Sequence, residues 1–410
     1  MWIDVAIVGA GPYGLSLAAY LGSTDTSFRI FGPPMSSWRS AMPKGMQLKS
    51  DGFASDLYDP ERKSTIKRYC TEHGIPYDDL LVPVNLDTFV NYGLAFQQER
   101  VPTLEDKQVV GLTRIQGGFR VTLDDRTKLD ARKVVVATGI SYIANIPPVL
   151  ERLDSAHRSH TSDHHELGHF AGKKVIVVGG GSSATDIAVL IHEAGGKVEL
   201  VARHPVGFHS PPRPEGRPLL ERIRRPHLGL GPSLRSTFYT ALPGAFHALP
   251  RSKRLAIVRR HLGPVGGYFV KDRLVGSVPI HVGYSLEDAR YVDGQATVVF
   301  RHKDGSTLTR EADHVISATG YKVSLEKMPF FDEALRRQVA LEENYPRLSR
   351  KFESSVAGLH FIGVHAAGSF GPLMRFALGA GYTSKVLSAH LARNRVEGRV
   401  AASAQVASSQ

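Results

Sequence analysis

The sequence predicts an α/β protein built from two dinucleotide-binding units, and three observations carry that prediction. The first is Gly9-Ala10-Gly11-Pro12-Tyr13-Gly14, which closes the apolar run Val5-Ala6-Ile7-Val8. The second is Gly179-Gly180-Gly181-Ser182-Ser183-Ala184, which closes Val175-Ile176-Val177-Val178. The third is a repeated strand end, Ala137-Thr138-Gly139 and Ala318-Thr319-Gly320. An apolar strand, a glycine turn and a helix start aim backbone N–H groups and a positive helix end at a pyrophosphate. Two such turns imply two dinucleotides held by one chain, and the usual reason to hold two is to pass electrons between them.

The elements follow in order. The first turn opens a helix over Pro12–Leu21 whose Leu15, Ala18 and Ala19 can pack on a sheet. A second strand is expected at Phe28–Phe31, but Phe31-Gly32 stands where the usual fingerprint places an acid for the ribose. Residues 109–123 and 129–136 read as β, with turns at Gly117-Gly118 and Asp124-Asp125. Beyond the linker around Pro147-Pro148, strand Val175–Val178, helix Ser183–Ala194 and strand Val198–Ala202 form a second βαβ. Strands Thr297–Arg301, His314–Ala318 and Gly358–Gly363 come later, then the run Gly368-Ser369-Phe370-Gly371-Pro372 and a helix from near Leu373. The small residues at the two Ala-Thr-Gly ends let backbone pass close to a cofactor or another segment. They read as crossings between an FAD unit and a nicotinamide-nucleotide unit inserted into it. The expected division is 1–168 and 312–397 for the discontinuous FAD unit, 169–311 for the NADPH unit with a basic helical insertion at 207–270, and a disordered tail at 398–410.

Composition narrows the class. The chain has 410 residues, 42% of them hydrophobic, enough for two or three domains with a sizeable core. Cys70 is the sole cysteine, so an internal disulfide and a redox dithiol are excluded. No apolar run is long enough to cross a bilayer, and the first strand leaves no room for a signal peptide, which together point to the cytoplasm. The net charge is +12, and much of the basic excess falls between Arg203 and Arg260, without the aromatic interleaving of a single-strand binder. Nucleic acid is therefore set aside. A solvated basic face near cofactor phosphates is the expected explanation, with peripheral membrane contact, a substrate-channel cap or a subunit contact in a homo-oligomer as other uses of 207–270. His157, His160, His164, His165 and His169 match metal-ligand spacing only loosely and read as a polar linking loop, so no metal is expected.

The sequence resembles the two-dinucleotide flavoproteins, and within them the class B flavin monooxygenases. The residues that carry the resemblance are Gly9–Gly14, the run from Gly11 to Ala18, Gly179–Ala184, Ala318-Thr319-Gly320-Tyr321, and His160-Thr161-Ser162-Asp163-His164 before the second turn. Met46-Gln47 followed by Asp59-Pro60 is similar to the flavin-side segment of the N-hydroxylating members. Their substrate-binding lysine aligns with Gly52, with Lys49 nearby, which argues against an ornithine or lysine substrate. Only the histidine of F-x-G-x-x-x-H survives before the second unit, which separates the chain from the flavin-containing and Baeyer–Villiger subgroups.

The resemblance implies FAD held by Gly9, Gly11, Pro12, Tyr13 and Gly14, wrapped by Trp38, Arg39, Met46, Gln47, Thr138 and Gly139. Phe370, Gly371, Pro372 and Leu373 would turn a helix start toward the flavin pyrimidine edge. Gly179, Gly181, Ser182, Ser183, Ala184, Thr319, Gly320 and Tyr321 would hold NADPH, with Arg203 at the strand end where a 2′-phosphate contact falls. Gln47 would lie beside the isoalloxazine. His160 is a candidate polar group near the nicotinamide, or else a structural histidine. The implied reaction is hydride transfer from NADPH to FAD, then oxygen insertion through a C4a-(hydro)peroxyflavin into a small organic substrate. An NADPH-dependent reductase or oxidase without oxygen insertion, and a flavin-bound redox sensor without turnover, stand as alternatives.

Overall fold

A computed structural model describes residues 2–392 apart from 214, 215, 217, 262 and 264. The expected tail at 398–410 lies outside the described residues. Strands β1 (Trp2–Val8), β2 (Phe28–Phe31), β3 (Val109–Ile115), β4 (Gly118–Leu123) and β5 (Lys128–Val136) form the first sheet in the order β2-β1-β5-β4-β3. Parallel β1 is buried on both faces, which explains its unbroken apolar run. β5 is long enough to serve two neighbours along one edge. Its first half pairs antiparallel with β4, and Val134–Val136 pair parallel with Leu359–Phe361. The last segment of the chain thereby returns to the first unit.

The second sheet uses β6 (Arg158–His160), β7 (Lys174–Val178), β8 (Lys197–Ala202) and β9 (Ile280–Val282). An antiparallel meander follows, β10 (Tyr284–Val292), β11 (Gln295–His302) and β12 (Thr307–Ala312), and then β13 (His314–Ser317). The order is β6-β13-β7-β8-β9, all parallel. The meander covers one face of that sheet, packing Ala289, Val298 and Phe300 against Ile176, Val178 and Val201. β6 and β13 were expected in the first unit, and the structure corrects this. β13 has two partners, β6 and β7, and its residues Val315, Ile316 and Ser317 are fully buried between them.

Two short crossings join the units, and they zip together. Asn145 N–H donates to Gly320 O at 3.0 Å, Lys322 N–H to Ile143 O at 2.8 Å, and Ala144 forms an antiparallel bridge with Tyr321. Both crossings leave the Ala-Thr-Gly ends singled out in the sequence.

The insertion also departs from expectation. It starts in the second unit, yet Leu230, Tyr239, Phe246 and Val258 are buried in the core of the first. Its helices Leu234–Ala241, Pro243–His247 and Arg251–Arg260 lie against the C-terminal segment. Arg254, buried on the last of these, bonds Glu342 at 2.7 Å and the His247 carbonyl at 3.0 Å. The insertion is thus a strap from one unit to the other rather than a part of the second unit alone.

Candidate active site

The two glycine turns open onto one cleft, walled by both units and the insertion, of about 2880 Å³. A pocket for one drug-sized ligand takes roughly 300–1,000 Å³, so this cleft has room for more than one molecule. Each turn is built the same way. Gly9 has φ +110 and Gly179 has φ +140, a region open to glycine alone. A Cβ on Gly9 would stand 2.6 Å from the Ala137 carbonyl, and one on Gly179 would collide with the Ala318 carbonyl. Gly9 N–H donates to Phe31 O at 2.8 Å, and Gly179 N–H to Val201 O at 2.9 Å. The glycine turns and the Ala-Thr-Gly ends are therefore two sides of one contact, made once in each unit.

The turns fit the groups expected of them. Gly11 and Gly181 are the N-caps of helices Pro12–Leu21 and Ser182–Glu193, and neither helix has a side-chain cap. Their first-turn N–H groups are left for a ligand. A Cβ on Gly11 would meet nothing within 4 Å, so that glycine leaves space rather than relieving a clash. Gly14 and Ala184 do not face the cleft. A Cβ on Gly14 would strike the Gly9 carbonyl, and Ala184 is fully buried in the second core.

Most other expected residues line the cleft: Pro12, Tyr13, Trp38, Met46, Gln47, Thr138, Gly139, Ser182, Ser183, Arg203, Thr319, Gly320 and Tyr321. The Tyr13 hydroxyl donates to Phe376 O at 2.8 Å, tying the first turn to the C-terminal segment. Trp38 packs edge-on against Phe89 at 4.7 Å. Gln47 Nε2 donates to Asn85 Oδ1 at 3.2 Å, which fixes its amide at the wall. Arg203 is exposed at the end of β8.

Four expectations are corrected. His160 is fully buried, with Nε2 at 3.0 Å from Gly320 O and Nδ1 at 2.8 Å from Ser162 Oγ. Burial holds it below the usual histidine pKa, and its two ring nitrogens are committed to the fold beside the crossing. Arg39 is exposed and reaches the Pro34 carbonyl at 3.4 Å rather than the cleft. Phe370, Gly371, Pro372 and Leu373 are buried under the insertion, with Phe370 stacked on Phe352 at 4.1 Å and Gly371 pressed against the Phe246 ring. Pro372–Arg375 is a single 3-10 turn, and the following helix begins at residue 379. The wall there is instead made by Gly363, Val364 and Met374–Ala377.

Position 52 is closed to any side chain. A Cβ on Gly52 would lie 2.5 Å from the Asp78 carbonyl and 2.9 Å from the Tyr77 ring. Lys49 does line the cleft, but it is ion-paired with Asp186 of helix Ser182–Glu193 across the two units. Asp186 is almost wholly buried, and burial raises its pKa more than Lys49 lowers it. Sequence reasoning missed this pair and also Asp51, which meets His227 of the insertion at 2.8 Å. Residues so far apart carry no local signal. Among the described residues no three His, Cys, Asp or Glu side chains converge as a metal site, and no helix is long and apolar enough to cross a membrane.

Comparisons with known proteins agree with this geometry. The family profile of pyridine nucleotide-disulphide oxidoreductases matches residues 83–220. Indole-3-pyruvate monooxygenase YUCCA1 of Oryza sativa subsp. japonica is 30% identical over 226 residues, which is 52% of this chain and 50% of the relative. The alignment thus spans half the length of the rice enzyme. The uncharacterized oxidoreductase CzcO of Bacillus velezensis is 23% identical over 387 residues, 89% of this chain and 94% of the relative. Among solved structures, ornithine N-hydroxylase KtzI of Kutzneria sp. 744 superposes with a TM-score of 0.76 at 16% identity, covering 96% of this chain and 100% of that one.

Fold and site define an architecture: two dinucleotide-binding units whose glycine turns open on one shared cleft, as in the superposed N-hydroxylase fold. By sequence the chain is similar to the rice monooxygenase over half its length, and by fold to the N-hydroxylase over nearly all of it.

Proposed function

We propose that the protein is an FAD- and NADPH-dependent monooxygenase that places one atom of O2 on a small organic substrate, by N-hydroxylation or a related heteroatom or ketone oxidation. The observation that carries this is the shared cleft: both cradles open into one space, and the insertion closes its third side. A disulfide relay is ruled out by composition, and Cys70, the sole cysteine, is 1% exposed within the core.

Gly9, Gly11 and the first turn of helix Pro12–Leu21 would hold the FAD pyrophosphate, with Trp38, Met46 and Gln47 along the ring side. Gly179, Gly181, Ser182 and Ser183 would hold the second pyrophosphate, and Arg203 the 2′-phosphate. Flavin supplies hydride acceptance and oxygen chemistry when bound. The chain positions the two nucleotides through the zipped crossings and excludes water with the strap. On this reading the Gln47 amide, tethered to Asn85, would lie beside the isoalloxazine. The same reading puts the enzyme in the cytoplasm, which cell fractionation checks. A membrane or subunit contact would fall on exposed Leu219, Leu220 and Ile223 of the insertion, and vesicle flotation and light scattering check it.

The test is to reduce the holoenzyme with NADPH without air, admit oxygen and record rapid spectra. An absorbing species distinct from oxidised and reduced flavin, long-lived without substrate, supports the proposal. Immediate return to oxidised flavin with equimolar peroxide assigns a reductase or oxidase instead. Failure of NADPH to bleach the flavin overturns both.

A further inference from the structure

We propose that Arg375 anchors a carboxylate, so that the substrate of this cleft is a small organic acid with an apolar body. The inference rests on the monooxygenase reading and names its substrate class.

Lys49, Arg203, Arg213 and Arg375 are the cleft-lining lysines and arginines among the described residues. Lys49 is neutralised by Asp186, and Arg213 by Glu221 at 3.0 Å. Arg203 stands at the end of β8, where the second nucleotide accounts for it. Arg375 has no carboxylate partner among the described residues. Its one bond is from Nη1 to the Val258 carbonyl at 3.3 Å. The nearby acids are already engaged, Glu342 by Arg254 at 2.7 Å and Glu343 by Arg259 at 3.0 Å.

Its place in the fold suits a substrate. Phe376, the next residue, accepts the hydrogen bond from Tyr13 of the first cradle, so Arg375 is one residue from the flavin-side turn. Val258, its other tether, belongs to the strap. Arg375 therefore sits where cradle and strap meet, and the cofactor pyrophosphates have their own donors at the two helix starts. Val258, Met374 and Phe376 lie beside it in the lining of the cleft, and Leu228 and Leu230 of the insertion add further apolar surface to that lining. His261, bonded to Ser236 Oγ at 3.3 Å, also faces this end; burial and then the charges of Arg375 and Arg235 hold its pKa down. This end of the cleft is thus positive, and no anion among the described residues pairs with Arg375. A guanidinium offers a planar fork of donors that a carboxylate matches with two bonds.

The test uses the FAD-loaded full chain and follows the flavin absorption spectrum during titration. Phenylacetate, hexanoate and benzoate are each compared with the corresponding amide. The expected result is that an acid binds about 10- to 100-fold more tightly than its amide. Arg375→Gln should abolish that preference and Arg375→Lys should keep part of it, while amide binding moves less than about 2-fold. Should the variants lose FAD, the wild-type preference and its decline with added salt decide the question. Equal binding of acid and amide by the wild type overturns the proposal, and so does a preference that survives Arg375→Gln. The oxygen experiment needs no substrate. Loss of the acid preference with that result intact therefore overturns only the substrate class, and the converse overturns only the reaction.

Discussion

Replacing Lys49 by methionine should weaken the joint between the two units in a pH-dependent way. Lys49 and Asp186 are only 17% and 3% exposed, so water cannot replace the lost partner. Removing one member of a buried pair costs about 3–5 kcal/mol because the other charge is stranded. Asp186 also has an oxygen, Oδ1, that is buried without a hydrogen-bond partner, which sharpens the penalty. For a unit of this size the loss is worth a fall of roughly 6–20 °C in melting temperature. The stranded carboxyl escapes by taking a proton. Its folded pKa is already raised by burial and rises further without Lys49, so it lies above the unfolded value. Its contribution is therefore intact below the unfolded carboxylate pKa and is lost as pH rises through the raised folded pKa. Flavin-release melting curves on Lys49→Met, Asp186→Leu and the double variant at pH 5 and pH 8 provide the assay. The single lysine variant should lose most at pH 8, and the double variant should recover most of the loss. Equal destabilisation at both pH values, or a double variant no better than Lys49→Met, would refute the argument.

Further outcomes follow from the same geometry. Arg203→Ala should raise the NADPH KM about 10- to 100-fold and the NADH KM by less than about 3-fold, measured by steady-state flavin reduction; equal shifts would remove Arg203 from the 2′-phosphate. Gly179→Ala should cost more than about 2 kcal/mol, read as weaker NADPH binding and a lower melting temperature, because φ +140 and the Ala318 carbonyl leave no room for a methyl group. His160→Ala should lower the melting temperature while flavin reduction by NADPH stays within about 2-fold, since the side chain ties the fold and does not face the cleft; a fall of 100-fold or so would return it to the chemistry. Burial pushes His164 and His365 down to about 4. Their folded pKa values lie below the unfolded value, so their contribution is complete above about pH 6.5 and is lost as pH falls toward 4, at up to about 1.4 kcal/mol per pH unit for each. Denaturant melts across that range should show it, and a flat profile would contradict it.

Local rules made part of this protein readable. The helix Pro12–Leu21 matches expectation to the residue, because a proline at the first helical position after a glycine turn sets its own start. The apolar runs before Gly9 and Gly179 became the two parallel strands they resembled, and both turns have the positive φ that their glycines allow. The segment after Gly371 did not behave so simply. Its proline opens only a single 3-10 turn, since the insertion buries Phe370 to Leu373 and leaves Met374–Ala377 to face the cleft. The placement of β6 and β13 was also unreadable, because a strand of three or four residues takes its sheet from its neighbours.

The sequence by itself determined the two cradles, their helices and the absence of a thiol relay. Each depends on backbone conformation and residue type within a few positions. Tertiary structure alone decided that Gly9 faces Ala137 and Gly179 faces Ala318, that the strap crosses to the first unit, and that Lys49 is neutralised while Arg375 meets no carboxylate among the described residues. Those outcomes depend on which buried charges and apolar faces meet across the fold, and chain order alone does not set such meetings.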